Sequence, residues 1–118
     1  MKPAPSSPPI ALLVMISLLL VGCRTTTTVR LTGTPGTQVH GHYRANHLCS
    51  DFAGSADWKM DFGRQQLEEF EFSKVTLGHS VHLDIRQGRS QLVHATAEPG
   101  VPGLRVRKEG GWRVETLK

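Results

Sequence analysis

The chain has 118 residues, with 14 Lys and Arg against 10 Asp and Glu, a formal net charge of +4 and 38% hydrophobic residues. So mild a basic excess argues against a dedicated nucleic-acid binder, in which positive residues cluster densely on one face. The length suffices for one small domain with a single core.

The first predicted element is an apolar run. After Lys2 and a Pro/Ser-rich stretch come the thirteen residues from Ile10 to Gly22, then Cys23. A helix needs roughly 20 apolar residues to cross the hydrocarbon core, so this run is too short for a permanent span. A basic start, a short apolar middle and small residues at the end describe a segment that is removed on export. The competing reading is a buried N-terminal helix of a soluble protein. The four residues Leu20-Val21-Gly22-Cys23 resemble the lipobox of bacterial lipoprotein precursors. The resemblance implies a signal-peptide helix over residues 1–22 and a Cys23 that becomes the first mature residue, carrying a diacylglycerol thioether and an acylated amine. Two or more acyl chains, palmitate among them, anchor a protein stably where one gives marginal binding. Arg24 follows in place of an aspartate. By analogy with enterobacterial lipoproteins, this favours a periplasm-facing position in the cell envelope, at the outer membrane rather than the inner.

Without residues 1–22 there remain 96 residues and, once Lys2 is gone, 13 Lys and Arg against 10 Asp and Glu, a net charge of +3. That charge suits a place beside anionic lipid headgroups. Cys49 is the only other thiol, so no intramolecular disulfide forms once Cys23 is lipidated. Cys49 is expected to pack as a buried small hydrophobe, against the alternatives of an intermolecular bridge or a reactive thiol.

Residues 23–28, including the run Thr25 to Thr28, read as a lipidated tether whose end could begin a strand. The domain proper is set at residues 29–118. Thr27-Val29-Leu31 alternates with Thr28-Arg30-Thr32 before the turn Gly33-Thr34-Pro35-Gly36. Gln38 to Arg44 alternates again, with Val39, Gly41 and Tyr43 on one face, and a weaker stretch runs from His47 to Phe52. Trp58, Met60 and Phe62 recur at period two. Leu67 to Val75 reads as a strand on the alternation of Phe70-Glu71-Phe72-Ser73-Lys74, with a short helical turn at its start suggested by Gln65 to Glu69. Val81, Leu83 and Ile85 make the clearest amphipathic strand, and Leu92 to Ala97 another.

The last unit admits a register argument. Leu104 and Val106 share one face, as do Trp112 and Val114, and a one-residue slip would turn one pair outward. A three-residue loop, Glu109-Gly110-Gly111, keeps both pairs inward, places Val106 opposite Val114 and Arg105 opposite Glu115, and supplies the glycine such hairpins need.

No helical stripe follows Cys23. Seven or eight short strands at spacings near ten residues predict an all-β fold, a small antiparallel β-sandwich or partly open barrel. The arrangement from Val29-Arg30-Leu31-Thr32-Gly33-Thr34-Pro35-Gly36 through Phe70-Glu71-Phe72 and Val81 to Arg86 also resembles uncharacterised small β-sandwich lipoproteins of the envelope. Such families bring no agreed activity.

Several residue groups are candidates for chemistry. His40 and His42 lie two apart on a strand and project from one face, so with His47, His82 or His94 they could form a zinc or copper site. The plainer reading leaves them on a solvated face. His79 and Ser80 are adjacent, hence on opposite faces, and there is no Gly-x-Ser-x-Gly elbow. Glu68, Glu69 and Glu71 read as a solvated charge run rather than an acid/base pair. Arg105, Arg107, Lys108 and Arg113 form a candidate anion-binding patch, with Arg107 opposite Arg113. Like charges so placed are mildly destabilising. Trp58 and Trp112 are expected in the core. The leading expectation is a non-enzymatic lipoprotein with no catalytic residues and no cofactor, which binds or organises an anionic lipid, a cell-wall polymer or another envelope protein at the membrane. The alternative is a small periplasmic metal-binding protein using His40 and His42.

Overall fold

Period-two alternation of apolar and polar residues dominates the chain, and the computed structural model, which describes residues 26–118, shows it as nine strands. They are β1 (Thr27–Gly33), β2 (Gln38–Ala45), β3 (Leu48–Ser55), β4 (Trp58–Gly63), β5 (Leu67–Lys74), β6 (Val81–Gln87), β7 (Ser90–Ala97), β8 (Gly103–Lys108) and β9 (Trp112–Thr116). A four-stranded sheet has the order β4-β1-β6-β7, a five-stranded sheet the order β3-β2-β5-β8-β9, and every pairing is antiparallel. The architecture is thus a β-sandwich and not a closed barrel. The apolar run, the residues Leu20 to Cys23 that resemble a lipobox, and the expected signal-peptide helix lie outside the described residues.

The strand count exceeds expectation by one because the weak stretch after His47 is a full strand. β1 also starts at Thr27, two residues inside the segment read as tether, and Thr27 is itself buried. The helical turn expected before Leu67 is absent. Asn46 and Gln66 exchange two hydrogen bonds there, Asn46 N–H to the Gln66 carbonyl at 3.0 Å and Gln66 N–H to Asn46 Oδ1 at 2.8 Å, which hold the segment extended.

The core is built from the inward phases of the strands: Val29 and Leu31, Phe70 and Phe72, Val81, Leu83 and Ile85, Leu104 and Val106. Burying such side chains is worth about 1.5–3 kcal/mol each. Trp58 belongs to this core as expected, half-buried, with its ring 4.4 Å from Phe52 and 5.9 Å from Phe70. Tyr43 meets Phe62 edge-on at 4.8 Å. Since Phe52 and Tyr43 belong to one sheet and Trp58 and Phe62 to the other, this aromatic cluster seals the β3/β4 side of the sandwich.

Two expectations about burial are corrected. Cys49 is exposed, because its register opposite Arg44 puts it on the outer face of the five-stranded sheet, in the phase opposite to Phe52. Val114 is 47% exposed, although the register is the expected one, with Val106 opposite Val114 and Arg105 opposite Glu115, while Trp112, half-buried like Trp58, packs against the core as expected. β9 is the outermost strand of the larger sheet and is covered only at its Trp112 end. Lys74, in contrast, is buried. It has the phase of Phe70 and Phe72, and its ammonium donates to the carbonyls of Leu77 (3.1 Å), His79, Ala97 (3.3 Å) and Glu98 (2.7 Å). Burial lowers the pKa of this ammonium, with the Glu98 carboxylate opposing.

Candidate functional site

Sheet pairing gathers most of the expected residues on the outer face of the five-stranded sheet. One row across it reads Asp51, His42, Glu71, Arg105, Glu115; the next reads Cys49, Arg44, Glu69, Arg107, Arg113. Opposite charges alternate along most of both rows. Arg105 Nε donates to Glu71 Oε1 at 2.5 Å, and this bond, with the attraction of the same carboxylate, raises the arginine pKa further. His42 lies between Glu71 (3.6 Å) and Glu69 (3.8 Å). Arg44 and His47 both face Glu68, at 3.7 and 3.1 Å.

Glu68, Glu69 and Glu71 are therefore half-buried partners of cations and not a solvated run. Each carboxylate sits on β5, the middle strand, with basic side chains on its flanks.

The basic group of the C-terminal hairpin is divided by the fold. Arg105, Arg107 and Arg113 share the outer face, while Lys108 has the phase of Leu104 and Val106 and lines a hollow with Leu67, Leu92 and Trp112. Arg107 does face Arg113. Glu109 from the loop lies 4.0 Å from the first and 3.9 Å from the second, and Glu69 lies 3.8 Å from Arg107, so the repulsion is compensated. Arg107 Nε is shielded from solvent and has no hydrogen-bond partner. An incoming anion would compete with carboxylates already in place on this face.

The histidines are not assembled. His40 and His42 share the outer face of the five-stranded sheet, and His47 sits in the β2–β3 turn. His82 and His94 lie on strands of the other sheet and face the other way. His82 bonds Thr96 Oγ1 and His79 bonds Thr37 Oγ1, each at 2.8 Å. Among the described residues no group of three or more His, Cys, Asp or Glu is placed to hold a metal ion. Ser80 contributes its backbone to a contact with Thr34, and His79 is turned to Thr37.

A second site escaped the sequence reading. The outer face of the four-stranded sheet carries a groove of about 430 Å³ lined by Thr28, Arg30, Lys59, Asp84, Arg86 and Gly88. Arg30 is directly across from Lys59 on one side and from Asp84 on the other. Asp84 uses both oxygens elsewhere, accepting from Arg86 Nε and from the Gln91 amide, each at 2.8 Å. Burial works against its charge, but the bonds from Gln91 and Arg86 outweigh it and hold the carboxyl below its ordinary value. Each of these residues could be placed on an outward phase from the sequence; their convergence depends on β1 pairing with two strands distant in the chain.

Compared with protein-family models, curated proteins and solved structures, the chain matches none of them.

Proposed function

We propose that the chain is a non-enzymatic lipoprotein of the bacterial envelope, acylated at Cys23, whose β-sandwich holds a component at the membrane surface. The observation that carries this reading is a spacing. The apolar run ends at Leu20-Val21-Gly22-Cys23, and β1 begins only four positions after that cysteine, at Thr27. A domain so close to its anchor works at the headgroup level. Arg24 favours the periplasmic side of the outer membrane. The alternative, zinc or copper on His40 and His42, needs a third ligand, and the nearest carboxylates, Glu69 and Glu71, already face Arg107 and Arg105.

Radiolabelled palmitate and fractionation test the anchor. The mature protein is expected in the detergent phase with label attached, and Cys23→Ser is expected as an unlabelled, uncleaved precursor. Processing of Cys23→Ser at the same position and rate as the parent chain refutes the reading. Elemental analysis of the purified protein, with and without His40 and His42, decides the metal alternative.

A further inference from the structure

We propose that the groove on the outer face of the four-stranded sheet binds the phosphodiester headgroup of an anionic phospholipid in the membrane that carries the chain. This inference rests on the reading of Cys23 as the acyl anchor, and adds to it a defined lipid contact.

The groove has an excess of unpaired positive charge. Arg30 and Lys59 are opposed across the β1–β4 pair, a placement that costs stability when the charges are alike. Among the described residues neither has a carboxylate within ion-pair distance, in contrast to Arg44, Arg105, Arg107 and Arg113 on the other sheet. Asp84 does not relieve them, since its oxygens are held by Arg86 and Gln91. Asp61, next along β4 on the same face as Lys59, accepts from the Gly63 N–H at 2.8 Å. Three cations, Arg30, Lys59 and Arg86, thus surround a cleft against a single lining carboxylate. Guanidinium and ammonium groups so placed are matched by the oxygens of a phosphate.

The location selects a lipid as the source of that phosphate. Thr28 and Gly88 line the groove, and the Gly88 N–H donates to the Thr26 carbonyl at 3.1 Å, so the groove lies where the chain enters the domain. Thr28 is five positions after Cys23, and a chain of that length spans at most about 18 Å in any conformation. A domain tethered so tightly keeps Arg30 and Lys59 near the headgroups for as long as the anchor is inserted. The arginines on the outer face of the other sheet, Arg44, Arg105, Arg107 and Arg113, are already paired with carboxylates.

The test uses the full acylated chain in a nonionic detergent, titrated separately with dihexanoyl phosphatidylglycerol, dihexanoyl phosphatidylcholine and inorganic phosphate. Backbone amide resonances of Arg30, Lys59 and Gly88 report on the groove. Phosphatidylglycerol is expected to shift them saturably and phosphatidylcholine not. Each cation at an anionic surface changes binding about fivefold, so Arg30→Gln with Lys59→Gln is expected to raise the midpoint by about 25-fold. The charge-conserving pair Arg30→Lys and Lys59→Arg is expected to stay near the parent value, and Arg113→Gln to change nothing. An absent or phosphatidylcholine-equal response overturns the proposal. Inorganic phosphate acting as well as phosphatidylglycerol also overturns it, in favour of a free-anion site. The mass of the chain reports acylation independently. An acylated chain silent to phosphatidylglycerol removes the groove alone; an unacylated chain that still titrates removes the anchor and keeps the groove.

Discussion

Lys74 donates from its ammonium to the backbone carbonyl of Glu98 at 2.7 Å, joining the end of β5 to the end of β7 across the two sheets. The same nitrogen holds the carbonyls of Leu77, His79 and Ala97, so one side chain satisfies two loops. Hydrogen bonds from a charged donor are worth about 1.5–3 kcal/mol, and carbonyls left bare by its loss add a desolvation cost. Lys74→Met keeps the apolar stem and is expected to lower unfolding free energy by about 2–4 kcal/mol in denaturant titration. A loss below about 1 kcal/mol would show that water replaces the ammonium freely.

Gly41 lies where β2 approaches β5 too closely for any side chain. A Cβ there would sit 1.9 Å from the Glu71 carbonyl oxygen, a backbone atom that cannot move without shifting the whole pairing. At Gly54 the nearest obstacle is the Trp58 ring at 2.7 Å, a side chain and not the backbone of a paired strand. Overpacking costs about 1–3 kcal/mol, so Gly41→Ala is expected at or beyond the upper end and Gly54→Ala near the lower. Melting temperatures of the two variants check the order, and equal losses contradict it.

The β2–β3 turn places Asn46 and His47 at φ of 50° and 65°. Two left-handed residues in succession define the hairpin turn that favours Asn-Gly. The His47 N–H donates to Glu68 Oε1 at 2.7 Å, a bond that a glycine retains. His47→Gly is therefore expected to stabilise the domain by about 0.5–1 kcal/mol, since a side chain in this conformation is disfavoured. His47→Val, β-branched at positive φ, is expected to destabilise it. A gain with valine contradicts the turn geometry.

The Asp84 carboxyl titrates below its ordinary value of 3.8 because of Gln91 and Arg86. A carboxyl whose folded pKa is depressed contributes stability above its unfolded pKa, and the contribution disappears as pH falls through the folded value. The stability difference between the parent chain and Asp84→Asn is expected to be constant from neutral pH to about pH 5, then to shrink below about pH 4. A difference that widens on acidification reverses the sign of the shift.

Fold class was legible because one face of each sheet is buried, which forces strict alternation in Val29-Leu31, Phe70-Phe72 and Val81-Leu83-Ile85. The last hairpin was legible for the same reason, since parity together with a three-residue loop placed Val106 opposite Val114. Parity says nothing about cover, however, so the exposure of Val114 followed from sheet width and edge position, whereas Cys49 simply has the outward phase of Arg44 across the β2–β3 pair. Lys74 carried a signal in its phase with Phe70 and Phe72, but an ammonium belongs inside only if carbonyls from distant loops converge on it. Of the candidate site, the same-face relation of His40 and His42 was readable, whereas the carboxylates beside His42 come from another strand. The groove of Arg30, Lys59 and Arg86 needs strands from three parts of the chain.

The strand order also governs when this chain can fold. Leu31 in β1 pairs with Trp58 on one side and Leu83 on the other, while Phe70 in β5 pairs with Tyr43 and Val106. The central strands of both sheets thus wait for partners made much later, and such non-local pairing is intrinsically slow. A ribosome-bound or half-translocated chain ending near residue 79 has β1 without β6 and β5 without β8, leaving its apolar phases open on one side. Pulse proteolysis of such a truncation is expected to find it fully cleavable, unlike the complete chain. For the export proposed above, in which the chain would cross a membrane as an extended thread, this delay keeps the thread passable until its last third has emerged.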